Sequence, residues 1–523
     1  MTRPTTHRLR VRGWLQALAP LHVGGAGGDP NGALTVAVDG QGRPYVPGTS
    51  LAGALRTLLH PASGSDGGPH GERANSLWGY VKSGTQEGTV SRFTVHDGLL
   101  ATTTDLTDDA RAAAPLPTSR LEQRHSVGID RHTGTAAPGI LHSRAVVPQG
   151  TFLRLELDLG TTAAQLANDR ATVRRLLALL RDGRLRIGAA RTRGLGRLTL
   201  VEGRTDVYEQ DLSTPAGLLQ ALTTPVGGSL WPRTDWTEEK APADGLLRVR
   251  VDWSPSAPVM VRSGTDGFTV DAVPLATATA PDRVALALPG SALKGALRSH
   301  AERIERTARA LDAPTAPPGA GIPDQAAAFR HQLDQLPAIG LLFGTAPDAG
   351  PGGLGALTVD DCTTEQTIPA TEWQQVYDPP AQDGSTAHLA ALRPYGLERA
   401  DHVAIDRWTG GAADGRLYSV LEPHGLTWQP LTLTVDLDRL ALRDADWQDA
   451  AQALLLFLLR DLAAGRVPLG YATNRGLGDI TVHRITLTSP TEPDPVDLTV
   501  FLTGSRAKDL THAWRAYLDG TLR

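Results

Sequence analysis

Pro47-Gly48-Thr49-Ser50-Leu51-Ala52-Gly53-Ala54-Leu55-Arg56 returns almost letter for letter as Pro289-Gly290-Ser291-Ala292-Leu293-Lys294-Gly295-Ala296-Leu297-Arg298. Two further motifs return in the same order. Ile129-Asp130-Arg131-His132-Thr133-Gly134 matches Ile405-Asp406-Arg407-Trp408-Thr409-Gly410, and Gly194-Leu195-Gly196 matches Gly476-Leu477-Gly478. Three ordered matches imply a duplicated domain. The step between partners is 242 residues at the Pro-Gly motif and 265 between Leu77-Trp78-Gly79 and Leu342-Phe343-Gly344. It reaches 276 at the Ile-Asp-Arg motif and 282 at Gly-Leu-Gly. The second copy therefore carries insertions. The largest lies between Arg298 and Leu342, where residues 316–321 (Ala-Pro-Pro-Gly-Ala-Gly) read as a surface loop.

Each copy reads in one coarse order. Residues 9–12 and 247–252 alternate as strands, and a polar Gly-rich loop follows. That loop includes residues 24–28 (Gly-Gly-Ala-Gly-Gly), which lack the Gly-Lys-Ser/Thr of a nucleotide-binding loop. A short apolar strand ends at Val46 or Leu288. Pro-Gly then opens a helix with Ser50 or Ser291 as the expected N-terminal cap, and Leu51, Leu55 and Leu58 share one face. A β-hairpin comes next, then a helix (173–180; 450–462) closed by Gly183 or Gly465, then the Gly-Leu-Gly loop and a last strand (197–201; 479–482). This is the order of a ferredoxin-like, RRM-like α+β unit. Two tandem units are predicted, at 1–202 and 245–485. A linker at 203–244 carries Thr224-Pro225-Val226-Gly227-Gly228, Trp231-Pro232 and Glu238-Glu239, and the tail at 486–523 holds a short helix near 510–518.

The 523 residues, 41% hydrophobic, are enough for two cores. A single cysteine, Cys362, excludes a disulfide framework and cysteine-based zinc sites, and reads as a small residue near a strand end. No apolar run approaches the roughly 20 residues that span a bilayer, and the basic start leads into no signal-peptide core, so a cytoplasmic protein with no membrane association is expected. A net charge of −5 excludes a surface that is basic throughout, yet leaves room for a local arginine-rich groove. The basic residues are nearly all arginine, which reads first as genome composition.

Several residues can carry chemistry. Glycines in the loops 188–197 and 470–478 let backbone amides approach a phosphate, and Arg193 and Arg475 add forked donors. The alternative is a tight turn that needs positive φ. The hairpin tips carry Ile129 with Arg131 and Ile405 with Arg407, suited to insertion between bases, although Asp130 beside Arg131 also reads as a local ion pair. Loop carboxylates follow the first strand of each copy: Asp271, with Asp266 nearby, and Asp29 in Asp29-Pro30-Asn31. Such a group either binds a metal or positions a ribose 2′-hydroxyl, or is simply solvated. The histidines form no metal-binding motif; His22, His402 and His424 read as structural.

Together these residues resemble the RAMP superfamily of CRISPR–Cas systems, and in particular the backbone subunits of type III effector complexes. The Pro-Gly helix of copy two follows that pattern most fully. Copy one has Ala52 in the lysine position, and copy two has Pro258-Val259-Met260-Val261-Arg262 in place of the leader Leu21-His22-Val23-Gly24-Gly25. The resemblance implies palms aligned along a guide RNA (crRNA), each with a hairpin thumb pushed between bases. It also implies a loop aspartate that cuts the target RNA with a divalent metal, Mg or Mn. Asp271 is then the first catalytic and metal-binding candidate. In copy one the aligned stretch Ala33-Leu34-Thr35-Val36 lacks a carboxylate, which leaves Asp29 as the second. Expected RNA contacts are Arg56, Lys294, Arg298, Arg193, Arg475, Gly194 and Gly476, with Ile129, Arg131, Ile405 and Arg407 on the thumbs. Expected partners are crRNA, target RNA and the other subunits of such a complex. A non-catalytic scaffold, a crRNA-processing endoribonuclease using histidine without metal, and a duplicated module that binds no RNA are the alternatives.

Overall fold

The alternating run that opens each copy becomes the middle strand of an antiparallel sheet. A computed structural model describes residues 5–28, 32–61, 71–82, 84, 87–103, 113–223, 240–345, 353–380, 386–444 and 447–520. The chain divides into two compact units. The first holds Met1–Glu122, Ala145–Arg191 and Leu195–Ala243; the second holds Gln123–Arg144, Thr192–Gly194 and Asp244–Arg523. The hairpin of copy one and one residue triplet of its glycine loop thus belong to the unit built by copy two.

In the first unit, β1 (His7–Ala17) buries Leu9, Val11 and Leu15. The elements β2 (Tyr45–Val46), α1 (Gly48–Leu59) and β3 (Gly98–Ala101) follow. The hairpin strands β4 (Glu122–Ser126) and β5 (His142–Val146) come next, then β6 (Phe152–Thr161), α2 (Leu166–Arg181) and β7 (Arg197–Asp211). β1 lies between β6 and β7, and the sheet continues from β6 through β3 to β2. β1 keeps one register with β6, from His7 opposite Thr161 to Gln16 opposite Phe152, but bulges against β7 between Gly13 and Leu15. Leu51, Leu55 and Leu59 of α1, spaced by four, pack with Val173, Leu176 and Leu180 of α2 in one core. Leu58, expected on that face, is only half-buried. Each fully buried leucine contributes about 2 kcal/mol.

Copy two repeats the plan. Its elements are β8 (Leu246–Pro255), β9 (Arg283–Leu288), α3 (Gly290–Arg309), α4 (Ile322–Asp334) and β10 (Leu357–Val359). They continue with β11 (Leu397–Ile405), β12 (Ala412–Pro423), β13 (Leu431–Asp436), α5 (Gln448–Ala463), β14 (Ile480–Thr488) and α6 (Ser505–Leu518). The sheet order is β10-β13-β8-β14, and β8 bulges against β14 between Asp252 and Trp253, the counterpart of the bulge in β1. The tail is part of this core: Leu510, Trp514 and Tyr517 of α6 are buried with Leu454 and Leu458 of α5. The large insertion holds the second half of α3 and all of α4, with the loop 316–321 between them.

Both Pro-Gly helices begin as the sequence predicts, but neither serine caps them. Pro47 and Pro289 are the N-cap residues and make no side-chain cap bond. Two carboxylates from distant loops take over: Gly48 N–H donates to Asp97 Oδ1 and Gly290 N–H to Asp361 Oδ1, both at 2.7 Å. Asp97 and Asp361 are repeat partners that the motif comparison passes over.

Other expectations are corrected. The stretch Gly24–Gly28, read as loop, is a strand paired with Leu34–Val36. β7 runs ten residues past the expected end at 201, and a helix, Pro215–Thr223, follows it. The linker features at 224–228, 231–232 and 238–239 lie outside the described residues. Cys362 is buried, its thiol donates to Gln429 O at 3.0 Å, and burial pushes its pKa up to about 12. Among the described residues no helix is long and apolar enough to cross a membrane.

Asp97→Ala should cost about 1 kcal/mol of stability, and Asp361→Ala about 2 kcal/mol, in urea denaturation. Ser50→Ala and Ser291→Ala should change it by less than about 0.5 kcal/mol. Equal losses from the serine variants would contradict the assignment of the caps.

Candidate nucleic-acid interface

The two glycine loops follow one backbone path. Positive φ recurs at Gly188, Ala190, Gly194 and Gly196 (75°, 56°, 91°, 85°) and at Gly470, Ala472, Gly476 and Gly478 (94°, 53°, 89°, 89°). The amides turn inward. Ala189 N–H donates to His22 O (2.9 Å) and Gly196 N–H to Pro20 O (2.8 Å). Tyr471 N–H donates to Met260 O (2.7 Å) and Gly478 N–H to Pro258 O (2.9 Å). The glycine loop uses only backbone carbonyls here, so Met260 can stand where copy one has His22, whose ring bonds Ala145 O at 2.7 Å instead. The glycines therefore serve a tight turn, and the arginines are what the turn exposes. Arg193 and Arg475 are both exposed.

Each arginine sits beside the second strand of a hairpin. Arg193 neighbours His142 and Arg144 of β5 and Lys294 of α3, all within the second unit. Desolvation first, then repulsion from Arg193, lowers the pKa of Arg144; His142 is lowered by desolvation and then by Arg144 and Arg193. Lys294 is 5% exposed, its Nζ donates to Leu357 O at 2.6 Å, and desolvation followed by Arg193 and Arg298 lowers its pKa to about 7. Although Arg193 is exposed, the protein around it also lowers its pKa by desolvation. Arg144 is 8% exposed, and its Nη1 is buried with no hydrogen-bond partner among the described residues. Among the described residues no ion pair relieves Arg193, Arg144 or Lys294, and crowding such groups carries a free-energy cost that a bound anion would offset.

Copy two builds the same place from different residues. Tyr418 stands where copy one has His142, and Val420 where it has Arg144. Arg475 Nη1 donates to Tyr418 Oη at 2.8 Å, and its guanidinium lies 5.8 Å from that ring's centroid. His402 stacks on Tyr418 (5.2 Å) and places Nε2 3.0 Å from Glu422 Oε1. The adjacent Ser419 donates its N–H (2.7 Å) and its hydroxyl (3.0 Å) to Asp271 Oδ2. These two bonds, with Arg399 and Arg262 nearby, hold the Asp271 carboxyl below its ordinary pKa. Asp271 is exposed and ionised, and Oδ1 has no hydrogen-bond partner among the described residues.

Among the described residues no group of three or more His, Cys, Asp or Glu is placed to hold a metal. Asp271 offers one oxygen, whereas Mg takes six ligands and keeps several of them as water or substrate phosphate. The residues suit a metal shared with a bound phosphate, not one caged by protein. Asp29 lies outside the described residues.

Three other predicted contacts, Arg56, Arg298 and Arg131, are engaged inside the protein. Arg56 donates to Gly79 O (2.9 Å) and Asn75 Oδ1 (2.7 Å). Arg298 donates to Gly344 O (2.9 Å), Leu333 O (3.0 Å) and Glu302 Oε1 (2.6 Å). Arg56 ties its Pro-Gly helix to the helix Glu72–Trp78, and Arg298 ties its own to α4 and to the end of the helix Pro337–Phe343. Arg131 pairs with Glu302 at 2.6 Å, not with Asp130, whose Oδ1 collects the turn amides of His132 and Thr133. Ile129 and Ile405 are 41% and 57% exposed. Arg407 is exposed, and beside it Trp408 is 96% exposed, the barest large hydrophobic side chain among the described residues. Trp408 sits within the quoted motif, and its position at a turn was the available signal. Arg144 and His142 had none, because their role depends on a loop about 50 residues downstream.

A model of the RAMP superfamily matches residues 14–199 and again 285–481. The chain belongs to the RAMP superfamily. Among curated proteins no relative matches. The two matches fall one on each copy, so the RAMP protein has two tandem α+β RAMP domains, and membership points to a CRISPR-associated role in binding RNA. Asp271 lies before the start of the second match.

A lysine whose folded pKa lies below its unfolded value destabilises the fold while it is charged, so the parent protein gains stability as pH rises from about 7 toward 10.5. Lys294→Met lacks this gain. Urea denaturation of both proteins across that range should show the parent improving relative to the variant, and a pH-independent difference would contradict the buried lysine.

Proposed function

We propose that this RAMP protein is a crRNA-binding backbone subunit of a type III CRISPR effector complex, and that its second copy cuts complementary target RNA through Asp271. The observation that supports the binding is the close pair Arg193 and Arg144 beside a neutral-favouring His142 at the foot of the first hairpin, with Arg144 Nη1 buried and without a hydrogen-bond partner among the described residues. A phosphodiester supplies the missing charge, and release of condensed counterions favours its capture. Arg475 on Tyr418 is the equivalent contact in copy two. Exposed Ile405 and Trp408 suit stacking against an unstacked base.

For cutting, Asp271 offers an ionised oxygen while Ser419 fixes the other. That oxygen can orient a ribose 2′-hydroxyl, and Arg262 and Arg399 offset phosphate charge nearby. A divalent metal, Mg or Mn, would be held by Asp271 together with RNA oxygens and would polarise the phosphate. The second reading is a scaffold without catalysis. It is supported by the two hydrogen bonds that Ser419 donates to Asp271, which make Asp271 a structural tie between its loop and β12.

Asp271→Asn keeps an acceptor for Ser419 and removes the charge. In the complex assembled with guide RNA, it should abolish the target cut assigned to copy two while target affinity stays within about twofold. Unchanged cleavage would establish the scaffold reading. Arg193→Glu should weaken guide binding at least about tenfold and lower the slope of log affinity against log salt by about one. An unaltered salt slope would remove Arg193 from the interface.

A further inference from the structure

The two copies carry opposite chemistry on one matched helix face. α2 and α5 are each 16 residues long and align without a gap, at the same step of 282 residues that separates the Gly-Leu-Gly motifs. Thr172 stands where copy two has Leu454, and Arg175 where it has Phe457. In copy two the tail closes this face. Leu454 shares a core with Leu510, Trp514 and Tyr517 of α6, and the Phe457 ring meets Trp514 edge-on at 5.7 Å. An apolar helix covers an apolar face, as burial of such surface favours.

In copy one the corresponding place is a cavity of about 280 Å³, and all of its lining residues belong to the first unit. Three cationic side chains line it: Arg73, Arg175 and Lys240, the last from an irregular segment where copy two has a helix. Leu59 and His60, both buried, stand beside them, and no carboxylate lines the cavity. Arg175 and Lys240 make no hydrogen bond or ion pair among the described residues. Arg175 Nε is buried, and the neighbouring Thr172 hydroxyl is turned onto its own helix, where it donates to Asn168 O at 3.0 Å. A buried charged donor without an acceptor costs stability, and like charges brought together add to that cost. Packing explains Phe457; it does not explain an arginine at the matched position.

We propose that this cavity binds a small phosphate monoester of about mononucleotide size. Two unpaired cations match the charge of close to two that a phosphomonoester carries near neutral pH. The guanidinium fork suits two of its oxygens. Small-molecule sites span roughly 300 to 1,000 Å³, so this volume fits one phosphate with a small body and not a chain that enters and leaves. Leu59 offers that body an apolar wall. Arg193 and Arg475 belong to the second unit, so the cavity is a site additional to the RNA contacts proposed above.

The test titrates the full chain, treated with nuclease, into inorganic phosphate and into AMP at constant ionic strength, with binding read from 31P line broadening. Both should bind, AMP more tightly, and adenosine should not compete. Arg175→Phe, which installs the residue of copy two, should weaken AMP binding at least about tenfold, as expected for loss of a charge-assisted hydrogen bond. Its urea midpoint without phosphate should equal or exceed that of the parent, and its guide RNA affinity should match the parent's. Lys240→Ala, at an exposed position, should weaken AMP binding roughly threefold. Arg193→Glu should leave AMP binding unchanged. No binding of phosphate or AMP, competition by adenosine, binding indifferent to both Arg175→Phe and Lys240→Ala, or binding lost with Arg193→Glu would overturn the proposal. A short 5′-phosphorylated RNA that binds through Arg175 more tightly than AMP would overturn it too, since the ligand would then be an RNA end.

Discussion

The carboxylate of Asp361 is the point at which copy two and the borrowed pieces of copy one are fastened together. Its Oδ1 takes the first amide of α3, Arg124 of β4 lies 3.6 Å from its Oδ2, and Gly194 rests directly against it. Its side chain is only 8% exposed, and a helix N-terminus and a guanidinium are its partners there. The position of Arg193 follows. Gly194 admits no side chain against Asp361, so the preceding arginine is held over the start of α3, beside Lys294 and the hairpin strand that bears Arg144.

From that shared frame the two copies have diverged in charge, not in shape. The turn of the glycine loop is the same in both, and its arginine meets the same strand position. Around the arginine of copy one stand Arg144, His142 and Lys294. Copy two gives it a tyrosine and sets an ionised carboxylate one residue along. Duplication lets one site hold while the other changes its chemistry, since each loses nothing by the other's substitutions.

The architecture was legible because repetition and periodicity are properties of the chain itself. The Pro-Gly helices, the hairpins, and the helices closed by Gly183 and Gly465 could be read without coordinates. Roles that depend on folding back were not. Arg56 and Arg298 look like surface cations on a helix, but the carbonyl of a glycine just past a later helix, Gly79 or Gly344, lies within reach and claims each of them. Ser50 and Ser291 have the right chemistry for a cap, but a proline ahead of them sets the helix start earlier, and carboxylates from another loop fill the need. The helix α4 hid in an insertion whose Pro and Gly residues advertise only its entry loop. Asp271 stood out as a loop carboxylate after a first strand, and its rank as first candidate came from the family resemblance.

The allocation of residues 123–144 to the second unit has a bearing on biosynthesis. Arg131 is made 171 residues before Glu302, its ion-pair partner. At ordinary translation speeds this is a wait of roughly 10 to 30 s. Completion is later still, because Tyr517 bonds Glu305 from α6 and closes the same core. The early half of the nascent chain can condense around its own sheet, but its protruding ribbon stays uncommitted until the later half has emerged from the ribosome. During that interval the ribbon is open to other binders, and a ribosome pause between the halves would lengthen the exposure.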